Sequence, residues 1–93
     1  MKITLHVSHS LAAVFGGRTV PLELPDNTSL ADMLARLQAT FPQLEGRLKG
    51  TGNPGGAPYN YFVNRKAVKR ADVATLRLRD GDRVHILVPV VGG

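Results

Sequence analysis

The chain has 93 residues, a formal net charge of +5 and no cysteine. That allows one domain burying roughly 60–65% of its unfolded surface, and excludes disulfides, thiolate chemistry and a cysteine-based metal site. With 43% apolar and 20% charged residues, no apolar run of bilayer length and no basic stretch leading into an apolar segment, it reads as a soluble cytoplasmic protein without a signal peptide or membrane span.

Lys2 to Val7 alternates polar and apolar residues, which predicts a half-buried strand with Ile3, Leu5 and Val7 inward and His6 outward. Ser8 to Phe15 reads as a loop or short irregular segment. Gly16-Gly17 then supplies a turn into a second alternating strand, Thr19 to Leu24, with Val20, Leu22 and Leu24 inward, and the two strands suggest a hairpin. Pro25 to Ser29 ends that strand and offers Thr28 or Ser29 as a helix N-cap, with Asp32 in the first turn. Leu30, Met33, Leu34, Leu37 and Phe41 recur at helical spacing, and Pro42 stops the helix. Leu44 and Leu48 extend the apolar contact into a further short turn.

Gly50 to Pro58 is rich in Gly and Pro and reads as a surface loop. It is not a phosphate cradle, because Gly55-Gly56 is followed by Ala57-Pro58 where a P-loop needs Lys and Ser or Thr. Tyr61 to Asn64 and Ala67 to Val68 read as short strands around an Asn64-Arg65-Lys66 turn, and Val73 to Leu78 as a short helical turn. After the turn Asp80-Gly81-Asp82, a last strand from Arg83 to Val88 places Val84, Ile86 and Val88 inward and Arg83, His85 and Leu87 outward. The fold class that satisfies both sets of inward residues is α+β, with one main helix on one face of a mixed sheet of four to five strands.

Chemistry-bearing side chains are sparse. His6, His9 and His85 match no metal-ligand spacing and read as separate surface histidines, and Ser8 and Ser10 lack a nucleophile elbow or triad. Arg65, Lys66, Lys69, Arg70, Arg77, Arg79 and Arg83 form a basic cluster suited to an acidic partner or phosphate. An alternative function follows from it: a basic nucleic-acid-binding module in which Tyr59, Tyr61 and Phe62 stack bases beside Arg65, Lys66, Lys69 and Arg70. That alternative leaves the C-terminus unexplained.

The chain closes on Pro89-Val90-Val91-Gly92-Gly93. Two terminal glycines pack nothing and cost backbone entropy, so they are of no use to stability. They suit an end threaded into a narrow channel, where the missing Cβ atoms leave the terminal carboxylate open to reaction. Pro89 cannot donate a ladder hydrogen bond and is placed to end the sheet, while Val90 and Val91 favour an extended chain. The expected division is a folded body over 1–88 and a tail over 89–93, which fully extended reaches about 15–18 Å.

This order, with Phe62-Val63-Asn64 followed by Val68, Leu78-x-Asp80-Gly81-Asp82-x-Val84-x-Ile86 running to Pro89-x-Val91-Gly92-Gly93, Gly16-Gly17 and Thr28-Ser29-Leu30, resembles the ubiquitin-like β-grasp sulfur carriers of the MoaD/ThiS/CysO family. The resemblance spans essentially the whole chain. It departs at Arg83, where an acidic residue commonly follows the Asp-Gly-Asp turn, and in the Gly- and Pro-rich loop from Gly50 to Pro58.

The resemblance implies a carrier without catalytic residues, metal or bound cofactor of its own. An E1-like adenylyltransferase uses ATP to adenylate the Gly93 carboxylate, and a sulfur donor converts it to a thiocarboxylate. A sulfur-accepting synthase then takes up the sulfur: a cysteine synthase-like enzyme or the large subunit of molybdopterin synthase, of which this chain would be the small subunit. Gly92, Val91, Val90 and Pro89 would be recognised as the tail. His6, Phe62, His85 and Leu87, on the outward side of the sheet, are candidates for docking the body. Transfer of the activated tail to lysine, as in a ubiquitin-like protein modifier, is a further alternative; a membrane partner is not expected.

Overall fold

The computed structural model describes residues 1–44, 46–48 and 59–87. Strand β1 (Lys2–Val7) buries Ile3, Leu5 and Val7 on one face, as the period of two demands. The next segment corrects the sequence reading. Ser8 to Phe15 is not a loop but contains helix α1 (His9–Phe15), with Leu11 fully buried and Val14 and Phe15 packed against the core. A seven-residue helix is too short to be stable alone, so burial of this i, i+3, i+4 stripe selects it. Gly16 caps the helix in the left-handed region at φ 76°, its N–H donating to the Ala12 carbonyl. Gly16-Gly17 therefore closes a helix instead of forming a tight hairpin turn, although β2 (Thr19–Glu23) pairs antiparallel with β1 as expected.

Helix α2 (Leu30–Thr40) buries Leu30, Met33, Leu34 and Leu37, and Phe41 meets Phe15 edge-on at 4.9 Å. The first N–H groups of any helix lack internal partners, and here each finds one. The Asp32 N–H donates to Ser29 Oγ at 3.0 Å, the Leu30 N–H to the Leu76 carbonyl at 2.9 Å and the Ala31 N–H to the Val73 carbonyl at 3.0 Å. The turn expected over Val73 to Leu78 is present in its first residues, where the Thr75 and Leu76 N–H groups both donate to the Asp72 carbonyl, at 3.1 and 2.8 Å, and the Val73 and Leu76 carbonyls are left for the start of α2. The regular turn lies just upstream, a 3₁₀ helix at Arg70–Asp72. At the other end Phe41, held before Pro42 at φ −123° and ψ 83°, leaves the helix, and a 3₁₀ turn at Pro42–Leu44 carries Leu44 into the core, with Leu48 buried beyond it.

Strands β3 (Asn60–Val63) and β4 (Lys66–Ala67) sit one residue earlier than the alternation predicted. Asn64 and Arg65 both have positive φ, 49° and 72°, the requirement of a two-residue type I′ turn, whose twist matches that of the flanking strands. The last strand, β5 (Arg83–Leu87), buries Val84 and Ile86; Val88, expected inward, lies outside the described residues.

The strands form one five-stranded sheet in the order β2-β1-β5-β3-β4. The last strand is central, parallel to β1 and antiparallel to β3. One face packs with α2 around a common core; the other is left open by the described residues. This is the ubiquitin-like β-grasp expected from the sequence.

Candidate functional site

The open face is built by the outward half of each strand's alternation. At one level the pairing brings Thr19, His6, His85, Phe62 and Ala67 side by side across all five strands. Leu87, 36% exposed, pairs with Asn60 one step along. Of the residues expected to dock a partner, His6, His85 and Phe62 are thus contiguous and half-buried, and Leu87 continues the row.

His6 and His85 correct the reading of separate surface histidines: their rings stack with centroids 4.5 Å apart and planes 12° from parallel. His9 belongs to α1. Among the described residues no three His, Asp or Glu side chains gather as a metal-ligand set.

Asn64, Arg65 and Arg83 join the two histidines around a shallow depression of about 380 Å³. The β3–β4 turn and the start of β5 are tied together there. Asn64 Oδ1 accepts the Arg83 N–H at 3.0 Å, and Asn64 Nδ2 donates to Asp82 Oδ1 at 2.8 Å. The other Asp82 oxygen accepts the Arg79 N–H at 2.8 Å. The local carboxylate is therefore occupied in holding the turn. Burial holds the His85 imidazole below its ordinary pKa, and His6, Arg83 and Arg65 push it further the same way. Nδ1 of His85 is buried with no hydrogen-bond partner among the described residues.

Asn64, Arg65 and Arg83 were missing from the docking set drawn from the sequence. Arg83 was legible, since it stands two residues before His85 on the same side of one strand. Arg65 was not, because its position depends on the type I′ geometry of the turn.

The basic cluster is split by the fold. Arg65 and Arg83 flank the open face, whereas Lys66, Arg77 and Arg79 line a separate groove beside Val68 and Leu76. The base-stacking platform of the nucleic-acid alternative is overturned by burial. Tyr59 is fully buried, its hydroxyl 2.7 Å from Ser10 Oγ, and Tyr61 is 9% exposed. Burial raises the Tyr61 pKa, an effect that Arg70 partly offsets. Of the three aromatics only Phe62 reaches the open face. No helix among the described residues is long and apolar enough to cross a membrane.

The tail residues Pro89, Val90, Val91, Gly92 and Gly93, and the expected boundary between residues 88 and 89, lie outside the described residues. Comparison with known proteins bears on what the face and tail belong to. The ThiS family model matches residues 9–93. The chain belongs to the ThiS family. Small archaeal modifier protein 3 of Haloferax volcanii is 30% identical to this ThiS-family chain over 94 residues, covering the whole of both. Among solved structures, SAMP1 of Haloferax volcanii superposes with a TM-score of 0.73 at 26% identity, again covering all of both chains. CysO of Mycobacterium tuberculosis superposes with a TM-score of 0.71 at 25% identity, covering 95% of this chain and 99% of the other. The resemblance drawn from the closing motifs thus holds at the level of the ubiquitin-like MoaD/ThiS family.

Proposed function

We propose that this ThiS-family chain is a carrier whose Gly93 carboxylate is adenylated by an ATP-using, E1-like enzyme and then converted to a thiocarboxylate for delivery to a synthase. The observation that carries this reading is the extent of the family match, which runs to residue 93 and so includes the Gly92-Gly93 pair. A free carboxylate repels nucleophiles and has no leaving group. Its attack on the α-phosphorus of ATP displaces pyrophosphate and forms a mixed anhydride. A sulfur nucleophile supplied by a donor then attacks the acyl carbon and expels AMP.

The chemistry belongs to the partners, so the carrier acts as a co-substrate and needs no cofactor of its own. Gly93 is the reacting group and Gly92 the clearance around it. Val90 and Val91 favour the extended course a channel requires, and Pro89 terminates the ladder. His6, Phe62, His85 and Leu87 dock the body. A cysteine synthase-like acceptor is the destination that the family resemblance implies, with molybdopterin synthase as the competing acceptor.

A second reading is favoured by the full-length similarity to a small archaeal modifier protein. The same acyl-adenylate would be resolved by a lysine Nζ, forming an isopeptide bond. The two readings share their first step and differ in the nucleophile.

The test is to incubate the chain with ATP, a ThiS-type activating enzyme and sulfide, and to record its intact mass. Replacement of one terminal oxygen by sulfur is expected, and none after deletion of Gly93. Conversion that survives the deletion would overturn the assignment. Repeating the reaction with lysine-bearing proteins in place of sulfide reads out the modifier alternative as a covalent adduct.

A further inference from the structure

The depression lined by His6, His85, Arg65, Arg83 and Asn64 is not accounted for by the tail chemistry. The fold assembles it from two strands and a turn: His6 from β1, Arg83 and His85 from β5, and Asn64 and Arg65 from the I′ turn between β3 and β4. Two fixed cations and two imidazoles face one small volume. The nearby carboxylate, Asp82, has both oxygens engaged by Asn64 and by the Arg79 N–H. Asp82 keeps its charge in this role, but the Arg65 and Arg83 guanidinium groups outnumber it, so the depression keeps a net positive charge that favours a negative ligand from outside.

The surroundings narrow the ligand. Phe62 is directly paired with His85, and Leu87 lies exposed further along β5. A free inorganic ion would use the cations and leave this apolar surface wet. A polypeptide can cover both, excluding water and strengthening the charge contact as it does so. We infer that this depression receives a carboxylate side chain of a docking protein whose adjacent apolar residue covers Phe62 and Leu87. The inference rests on the docking-face reading above and adds the chemistry of the partner: an Asp or Glu beside an aliphatic residue. Arg65 and Arg83 supply fixed charge, and His6, His85 and Asn64 complete the lining beside them.

The experiment is an NMR titration of the full chain with an acetylated Glu-Leu-Glu amide peptide, with its Gln-Leu-Gln counterpart and with inorganic phosphate. The ring resonances of His6 and His85 and the Arg65 and Arg83 amides report binding. Saturable shifts at these positions are expected with the acidic peptide, weaker ones with phosphate and none with the neutral peptide. Combined Arg65→Ala and Arg83→Ala substitution should weaken the acidic peptide about tenfold and flatten its salt dependence, and both side chains are exposed, so the fold should persist.

Equal shifts with the neutral peptide would overturn the charge assignment, and phosphate binding as tightly as the peptide would make the site one for a small oxyanion. Absence of shifts at His6 and His85 would remove the site altogether. None of these outcomes depends on whether Gly93 accepts sulfur, so failure here is distinguishable from failure of the carrier reading.

Discussion

His6 and His85 share one position of the parallel β1–β5 register and stack at 4.5 Å, and a charge on the His85 ring is opposed first by burial and then by His6, Arg83 and Arg65. A histidine held below its unfolded pKa of about 6.5 binds fewer protons folded than unfolded. His85's contribution to stability is therefore complete above about pH 6.5 and lost as the pH falls from there towards the depressed folded value. Urea unfolding across that window should show declining stability in the wild type and a shallower decline in His85→Gln. An identical slope in the two proteins would assign the acid sensitivity to other groups.

Arg65 adopts φ 72° at the second position of the I′ turn, where glycine carries no Cβ penalty. Arg65→Gly should raise stability by about 0.5 kcal/mol while removing a cation from the open face. Thermal unfolding and the peptide titration, run on the same variant, should move in opposite directions.

Asn64 ties the turn to β5 by accepting the Arg83 N–H and donating to Asp82. Asn64→Ala loses both bonds and places a less tolerant residue at φ 49°, for an expected loss of about 1–2 kcal/mol. Asn64→Gly keeps the turn and loses only the bonds, so it should fall between alanine and wild type in chemical denaturation.

The start of α2 depends on Ser29, whose hydroxyl accepts the Asp32 N–H. Ser29→Ala should cost about 1 kcal/mol, and Ser29→Asp should recover part of it, since a carboxylate can cap the same N–H and favours the positive end of the helix. Equal stability of the alanine variant and the wild type would show that the Val73 and Leu76 carbonyls suffice.

If the open face docks partners, Phe62→Ala and Leu87→Ala should each weaken binding to the activating enzyme without loss of fold. Calorimetric titration measures the first and circular dichroism the second. Unchanged affinity in both variants would move the interface to another surface.

Much of this protein could be read without a structure. Strict alternation in β1 and β5, the 3.6-residue stripe of α2 and the stops at Pro42 and Asp80-Gly81-Asp82 are local signals, each set by residues a few positions apart. The C-terminal Gly-Gly and the closing motifs pointed to the family that the match over residues 9–93 then established.

Tertiary structure decided what no local period records. Seven residues of α1 are helical because Leu11 finds a buried place beneath the sheet, and the turn at 73–76 lies where its Val73 and Leu76 carbonyls receive the first N–H groups of α2. Tyr59 and Tyr61, which looked suited to stacking bases, are drawn inside because the small core needs their volume. Residues 6, 65 and 85 are far apart along the chain and meet because β5 returns between β1 and β3. Strand identity follows from the period of each segment, but strand partnership is a property of the whole core. Where charge gathers on the open face depends on that partnership.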